Sequence, residues 1–174
     1  EPTIHPQFFD IYDYACRQVQ QAGLTDRIDV LMRDYRDLDG RYDKLVSVEM
    51  IEAVGHHYLD RYLATIDGLL KPEGLALVQA ITIEDFRYQS ALKSVDFIKR
   101  YIFPGSFIPS LSAITASMAR ATRLGLIELA DFGASYALTL RHWRQRFDAA
   151  WDDISATGFD ETFRRRWQFY LAYC

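Results

Sequence analysis

The chain has 174 residues, enough for one domain with a sizeable core. Hydrophobic content of 49% and charged content of 25% are those of an ordinary globular protein, whereas 14% aromatic residues is high. A formal net charge of −4 argues against broad nucleic-acid binding, and no stretch approaches the roughly 20 consecutive apolar residues that a membrane-spanning helix needs. Residues 1–6 carry neither the basic region nor the apolar run of a signal peptide. Cys16 and Cys174 fall in separate predicted helices and read as free thiols of a reducing compartment. No Cys/His spacing of zinc type occurs, so no metal is expected.

Taken in order, residues 8–21 predict a helix, with Phe8, Ile11, Tyr12, Ala15 and Val19 recurring at three and four and Gly23 as its stop. Residues 28–32 alternate and predict a strand. Residues 42–48 predict a second, nearly continuous in apolar character around Leu45, Val46 and Val48, as suits a parallel strand covered on both faces. Residues 56–70 predict an amphipathic helix through Tyr58, Leu59, Tyr62, Leu63, Ile66 and Leu69. Lys71, Pro72, Glu73 and Gly74 signal a turn, and residues 75–83 a third strand. Residues 84–101 look helical, 103–110 form a rigid loop, and 111–122 another helix. Residues 124–132 predict a fourth strand, followed by helices over 138–157 and 159–174. This is α/β ordering, with 84–122 as a helical insertion between strands.

In an open α/β sheet, ligands gather outside the carboxyl ends of the strands. Here the strand ending at Val48 runs straight into a carboxylate and then, at Gly55, into a glycine that opens a helix. Asp34, Tyr35, Arg36, Asp37 and Leu38 follow the 28–32 strand in the same way. None of the nine glycines forms the glycine-rich turn that usually opens such a sheet, so the chain is expected to begin after the first half of the fold.

Several blocks in one order carry a family resemblance. They are residues 34–38; 42–48; Met50, Ile51, Glu52, Ala53, Val54 and Gly55; Leu70 through Gly74; Tyr101, Ile102, Phe103, Pro104 and Gly105; Phe132 through Tyr136; Thr139, Leu140 and Trp143; and Phe163, Trp167, Tyr170, Leu171 and Cys174. From about residue 12 to the C-terminus the chain resembles the cyclopropane-fatty-acyl-phospholipid synthases and the related mycolic acid cyclopropane synthases.

The resemblance implies the C-terminal portion of a class I S-adenosylmethionine-dependent methyltransferase fold, Rossmann-like, with residues 1–174 as a single domain without its glycine-rich motif. It implies a cytoplasmic enzyme, peripheral at the inner membrane face, that turns cis double bonds of phospholipid acyl chains into cyclopropanes. The double bond attacks the sulfonium methyl group, and the resulting cation loses a proton as the ring closes. The cosubstrate is S-adenosylmethionine, and the family's base is a bicarbonate ion. Transfer to another lipid or small acceptor, and a non-catalytic fragment, are alternatives; a homodimer is left open.

Residue by residue, Glu52 matches the glutamate that holds the bicarbonate, whose hydroxyl can donate to it. Tyr136 matches a tyrosine at the same site, able to donate to the anion and to face a cation with its ring. Gln79 stands where many members have histidine; it can donate a hydrogen bond but cannot relay a proton. Ile81 matches a main-chain contact of the anion. Tyr35 and Arg36 match positions bordering the adenine. Cys174 matches a cysteine once regarded as nucleophile, although the chemistry needs no thiolate and nothing near it in sequence would lower its pKa. His56 and His57, adjacent on a predicted helix, read as a helix start rather than a metal pair. Phe97, Tyr101, Phe103, Phe107, Leu111, Ile114 and Met118 could line an acyl tunnel or form ordinary core. Arg141, Arg144, Arg146 and Arg164, Arg165, Arg166 read as a solvated face or a contact for anionic headgroups.

Overall fold

A strand is stable only beside a partner, and in this chain β1 (Tyr42–Val48) finds one in β2 (Leu70–Gln79). The computed structural model describes residues 7–174 and pairs these two strands in parallel, Lys44 opposite Leu75 through Val48 opposite Gln79. Between the Tyr42–Leu70 and Lys44–Leu75 pairs, β1 advances past one residue and β2 past Lys71, Pro72, Glu73 and Gly74. The expected turn is therefore a bulge inside β2. Gly74 is required there: a Cβ would sit 3.0 Å from the carbonyl oxygens of Lys71 and Tyr42. Lys71 closes the bulge with both oxygens of Asp43 at 2.9 Å.

The parallel connection runs through two short helical pieces and one long helix. These are α2 (Ile51–Val54), a 3-10 turn His56–Tyr58, and α3 (Leu59–Leu69). Leu59, Tyr62, Leu63, Ile66 and Leu69 form the buried stripe of α3. With Ile51, Leu70 and Phe107 they make the main core, against which Leu45 and Val78 of the sheet and Ile114 and Met118 pack. Each such side chain contributes about 1.5–3 kcal/mol by leaving water.

Only one sheet face is packed among the described residues. Val46 and its register partner Leu77 remain 66% and 57% exposed. This corrects the expectation of a strand covered on both faces: an apolar run tolerates burial but does not supply the covering element.

Helix α1 (Gln7–Gln21) agrees with the periodicity, although the side chains of Phe8 and Ile11 lie outside the described ones, as residues 1–6 lie outside the described residues. Residues 28–32 are not a strand; the Tyr12 hydroxyl donates to the Val30 carbonyl at 3.2 Å, and no strand lies beside the segment among the described residues. Residues 124–132 are likewise irregular, for the same reason, so no strand follows the insertion. The third strand ends at Gln79 rather than Ile83; Ile83 makes a lone bridge to Ser110 that closes the base of the insertion.

The insertion holds α4 (Asp85–Lys93), α5 (Phe97–Tyr101) and α6 (Leu111–Ala121). The single helix expected over 84–101 breaks where Asp96 caps α5 by accepting from the Lys99 amide. Helix α7 (Gly133–Ala149) starts five residues before its predicted beginning, which places Tyr136 in its first turns, and α8 (Trp151–Ala156) splits off at Ala150. Helix α9 (Glu161–Tyr173) packs Tyr170 and Leu171 against Leu140 of α7. Much of the aromatic surplus serves this corner. Phe147, Phe163, Trp167 and Tyr170 follow one another at centroid distances of 6.3, 5.5 and 5.1 Å.

Asp60 ties α3 to α6: it accepts from Arg120 through both oxygens and from the Ser117 hydroxyl at 2.5 Å. These bonds hold its carboxyl at about 2, below the usual carboxylate range. A depressed folded-state pKa adds stability above the unfolded value, and that stability is lost as pH falls through the folded one. Melting curves from pH 5 to pH 2 are thus expected to fall less steeply for Asp60→Asn than for the parent, with the variant melting lower at pH 5. Parallel curves would refute the tie.

Candidate active site at the strand ends

The carboxyl ends of β1 and β2 lie side by side, and the ladder continues one residue further: the Glu49 amide donates to the Gln79 carbonyl at 2.9 Å. Glu49 then turns the chain with φ +50, a left-handed conformation uncommon for a residue with a side chain. The turn starts α2 immediately, with Ile51 fully buried as its anchor and Glu52 in its first turn. Gly55, at φ +80, ends α2.

Two pairs result. Glu52 Oε1 accepts from the Ile81 amide at 2.5 Å, and the Gln79 amide nitrogen donates to Glu49 Oε1 at 3.0 Å. Glu52 Oε2 is buried with no partner. Burial raises the Glu52 pKa, and the Glu49 charge raises it further against the pull of the Ile81 amide. The loop of the insertion is fastened to the same residue, since the Phe107 amide donates to the Glu52 carbonyl at 3.0 Å.

From the other side of the chain, α7 brings Tyr136, half-buried and edge-on to Trp143 at 6.0 Å. Burial raises its hydroxyl pKa, and the charges of Glu49, Cys174 and Glu52 add to the rise. Tyr170 of α9 joins them, pushed up to about 12 by burial and then by Cys174, Tyr136 and Glu49. Residues far apart in sequence thus come within electrostatic reach of one another at the strand ends: Glu52, Tyr136 and Cys174, singled out in the sequence, with Glu49 and Tyr170, while Gln79 and Ile81, also singled out, are bound to the two carboxylates.

Glu49 and Tyr170 were given no site role from the sequence. Glu49 left a signal in its place directly after the strand. Tyr170 left its place in the last block of the resemblance. Cys174 is exposed at the end of α9, with its thiol raised by desolvation and by Asp96, which disfavours a thiolate.

Tyr35 and Arg36 occupy a 3-10 turn, Tyr35–Asp37, capped by Asp34. Arg36 is held by Asp34 through its Nε at 2.8 Å, and the pair keeps the Asp34 carboxyl at about 2. Tyr35 packs edge-on against Tyr62 at 5.8 Å, and Tyr62 feels both Tyr35 and Glu52. The turn therefore sits against the same core that carries Glu52.

His56 and His57 lie in a 3-10 turn, and their rings approach to a centroid distance of 3.8 Å. No metal-holding group of side chains occurs among the described residues. Beside them is a cavity of about 220 Å³ lined by His56, Leu92, Val95, Lys99, Ser106 and Phe107, mostly from the insertion. Of the proposed tunnel residues, Phe107 lines this cavity and Ile114 and Met118 pack into the main core. Phe97 and Phe103 contact α9. Arg164 lies over Trp151 at 5.0 Å and Arg166 over Tyr101 at 5.2 Å, so part of the basic run is engaged by aromatic faces.

Residues 10–174 match the sequence profile of the mycolic acid cyclopropane synthetase family. The tuberculostearic acid methyltransferase UfaA1 of Mycobacterium tuberculosis is 43% identical over 159 residues, covering 91% of this chain and 37% of its own. The cyclopropane-fatty-acyl-phospholipid synthase of Escherichia coli K12 is 37% identical over 147 residues, covering 84% of this chain and 37% of its own. The chain thus spans well under half the length of these relatives. The mycolic acid cyclopropane synthase CmaA1, solved in complex with SAH and CTAB, superimposes with a TM-score of 0.73 at 26% identity, covering 91% of this chain and 59% of that one. The strands, helices and strand-end site described above are accordingly a portion of the class I methyltransferase fold, and the chain belongs to the mycolic acid cyclopropane synthetase family.

Proposed function

We propose that this chain is part of an S-adenosylmethionine-dependent enzyme that adds a methyl-derived carbon to the cis double bond of a phospholipid acyl chain and closes a cyclopropane ring. The observation that carries this reading is the meeting of Glu49, Glu52, Gln79, Tyr136 and Tyr170 at the carboxyl ends of β1 and β2 in a member of this family. Methyl transfer to an alkene passes through a cation. Carboxylates and tyrosine faces stabilise positive charge, and their burial strengthens the effect. Tyr35 and Arg36 would border the adenine. The 84–122 insertion would take the acyl chain, which the apolar wall of the Phe107 cavity supports. Contact with an anionic membrane from the cytoplasmic side would fall to Arg141, Arg144, Arg146 and Arg165; among the described residues no helix is long and apolar enough to cross a membrane.

A bicarbonate ion at this site is the finer part of the expectation. The Gln79 amide and the Ile81 main chain donate to Glu49 and Glu52, so the hydroxyls of Tyr136 and Tyr170 would be its donors, and the unpartnered Glu52 Oε2 would accept from its hydroxyl.

A second reading is favoured by the 43% identity to a tuberculostearic acid methyltransferase, against 37% for the phospholipid cyclopropane synthase. On that reading the same cation forms and no ring closes. The two are separated by expressing the intact protein in a host without cyclopropane lipids and analysing its fatty acids by mass spectrometry. Cyclopropane acyl chains are expected. Methyl-branched or methylene chains alone would establish the second reading, and unmodified chains would reject both.

A further inference from the structure

We propose that Phe107 is a positioning residue: it holds the carboxylate of Glu52 in place from the side of the insertion, and so ties the element that takes the acyl chain to the site of the chemistry. This role rests on the part given to Glu52 in the reading above.

The geometry is a closed circuit of hydrogen bonds. Glu52 is gripped at both ends. Its Oε1 accepts from the Ile81 amide at 2.5 Å, and its carbonyl accepts from the Phe107 amide at 3.0 Å. The two donors belong to segments that are bonded to one another, since the Ile83 amide donates to the Pro109 carbonyl at 3.0 Å. Ile81 and Ile83 lie two residues apart, as do Phe107 and Pro109, so neither segment has slack. The carboxylate can swing only if one of these bonds opens.

Burial of the loop keeps the circuit shut. Phe107 is 3% exposed and joins Ile51, the neighbour of Glu52, in the main core; Pro109 and Ser110 are buried as well. The Ser110 hydroxyl caps α6 by accepting from the Ala113 amide at 3.2 Å, so the loop runs directly into the helix that Asp60 ties to α3. A buried ring cannot slide without opening a cavity. The ring is thus the anchor, and the amide is what it anchors.

Glu52 depends on such an anchor. Its Oε2 is buried with no partner, so nothing on that side fixes the group. A carboxylate that stabilises a cation must be aimed before the charge develops, and a misplacement of about 1 Å costs on the order of 100-fold in rate. The same ring walls the cavity of about 220 Å³ with His56, Leu92 and Val95. One residue therefore touches both the space offered to the acyl chain and the backbone of Glu52.

The test uses the intact protein. Phe107→Ala is expected to lower kcat by about 10–100-fold at a temperature where the variant is folded, with KM and the affinity for S-adenosylhomocysteine within about threefold of the parent. Leu63→Ala removes a side chain from the same core without touching the circuit; it is expected to lose stability and keep kcat. On a Glu52→Gln background, Phe107→Ala is expected to cost less than about twofold, because a residue that acts through Glu52 then has no charge left to aim. Should the alanine variant not fold, the same cycle is read with Phe107→Leu, expected to lose about fivefold in kcat on the parent background and less than about twofold on Glu52→Gln.

In an active parent, equal losses on both backgrounds would overturn the role alone. So would an unchanged kcat, a loss confined to KM, or an equal fall in kcat for Leu63→Ala. A parent without activity on acyl chains, or a Glu52→Gln variant as active as the parent, would overturn the reading beneath it, and this role with it.

Discussion

Glu52→Gln is expected to lower kcat by about 10²–10³-fold in the intact protein while changing cosubstrate affinity little. Glutamine keeps an oxygen for the Ile81 amide and keeps the shape of the first turn of α2. What it removes is the capacity to carry negative charge beside a developing cation, in a partly dry site where such charge acts strongly. Steady-state kinetics and titration with S-adenosylhomocysteine measure the two effects separately; equal losses in both would reject the assignment.

The same substitution has a stability signature of opposite sign. Burial, then the Glu49 charge, raises the Glu52 pKa in the folded state above its unfolded value. Its contribution is therefore fully present below the unfolded pKa and is lost as pH rises through the folded one. Glutamine stays neutral throughout. The variant should match the parent at pH 4 and melt higher at pH 8. A site that loses activity and gains stability on one substitution has been placed for chemistry rather than for folding. A lower melting temperature at pH 8 would contradict this.

Tyr62→Ala is expected to cost about 3–5 kcal/mol, read from the shift in urea midpoint at unchanged slope. Tyr62 is 1% exposed at the middle of the α3 stripe. Its ring meets Tyr35 edge-on, and its hydroxyl donates to Ser47 of β1 at 2.7 Å. One side chain thus joins the helix, the sheet and the turn that presents Tyr35 and Arg36. Tyr62→Phe keeps the ring and is expected to lose only about 0.5–1.5 kcal/mol. If the two variants were equally destabilised, the hydroxyl rather than the packing would be the dominant contact. Against a typical total of about 5–15 kcal/mol, the alanine variant should also populate unfolded chain at physiological temperature.

The site was legible to different depths. Glu52 and Tyr136 could be named because each lies in a motif block whose local sequence is distinctive; Gln79 and Ile81 lie in no block and were named from their positions between the blocks of the resemblance. Their meeting required the parallel pairing of β1 with β2 and the docking of α7, neither of which is a local property. Glu49 was marked in the sequence as the carboxylate that directly follows a strand, but given no role; its backbone conformation and its Gln79 partner are visible only in three dimensions. Tyr170 was hidden for a similar reason, since a tyrosine in an aromatic stripe reads as packing until Tyr136 and Cys174 are placed beside it.

Side-chain periodicity and capping chemistry act over a few residues. They were enough to place β1, α1, α3 and α6 within a residue or a few, and to mark the Val48–Gly55 region as the one where strand gives way to polar groups. Strand pairing acts between segments. Residues 28–32 and 124–132 have strand-like alternation without a neighbour, and a backbone whose hydrogen-bonding groups find no ladder does not become a strand. Lys71, Pro72, Glu73 and Gly74 have turn chemistry, yet the flanking residues pair across them, so the ladder absorbs them as a bulge. Chain-local forces thus set which residues could serve; the free energy of assembling the sheet and docking α7 and α9 set which of them share one small volume.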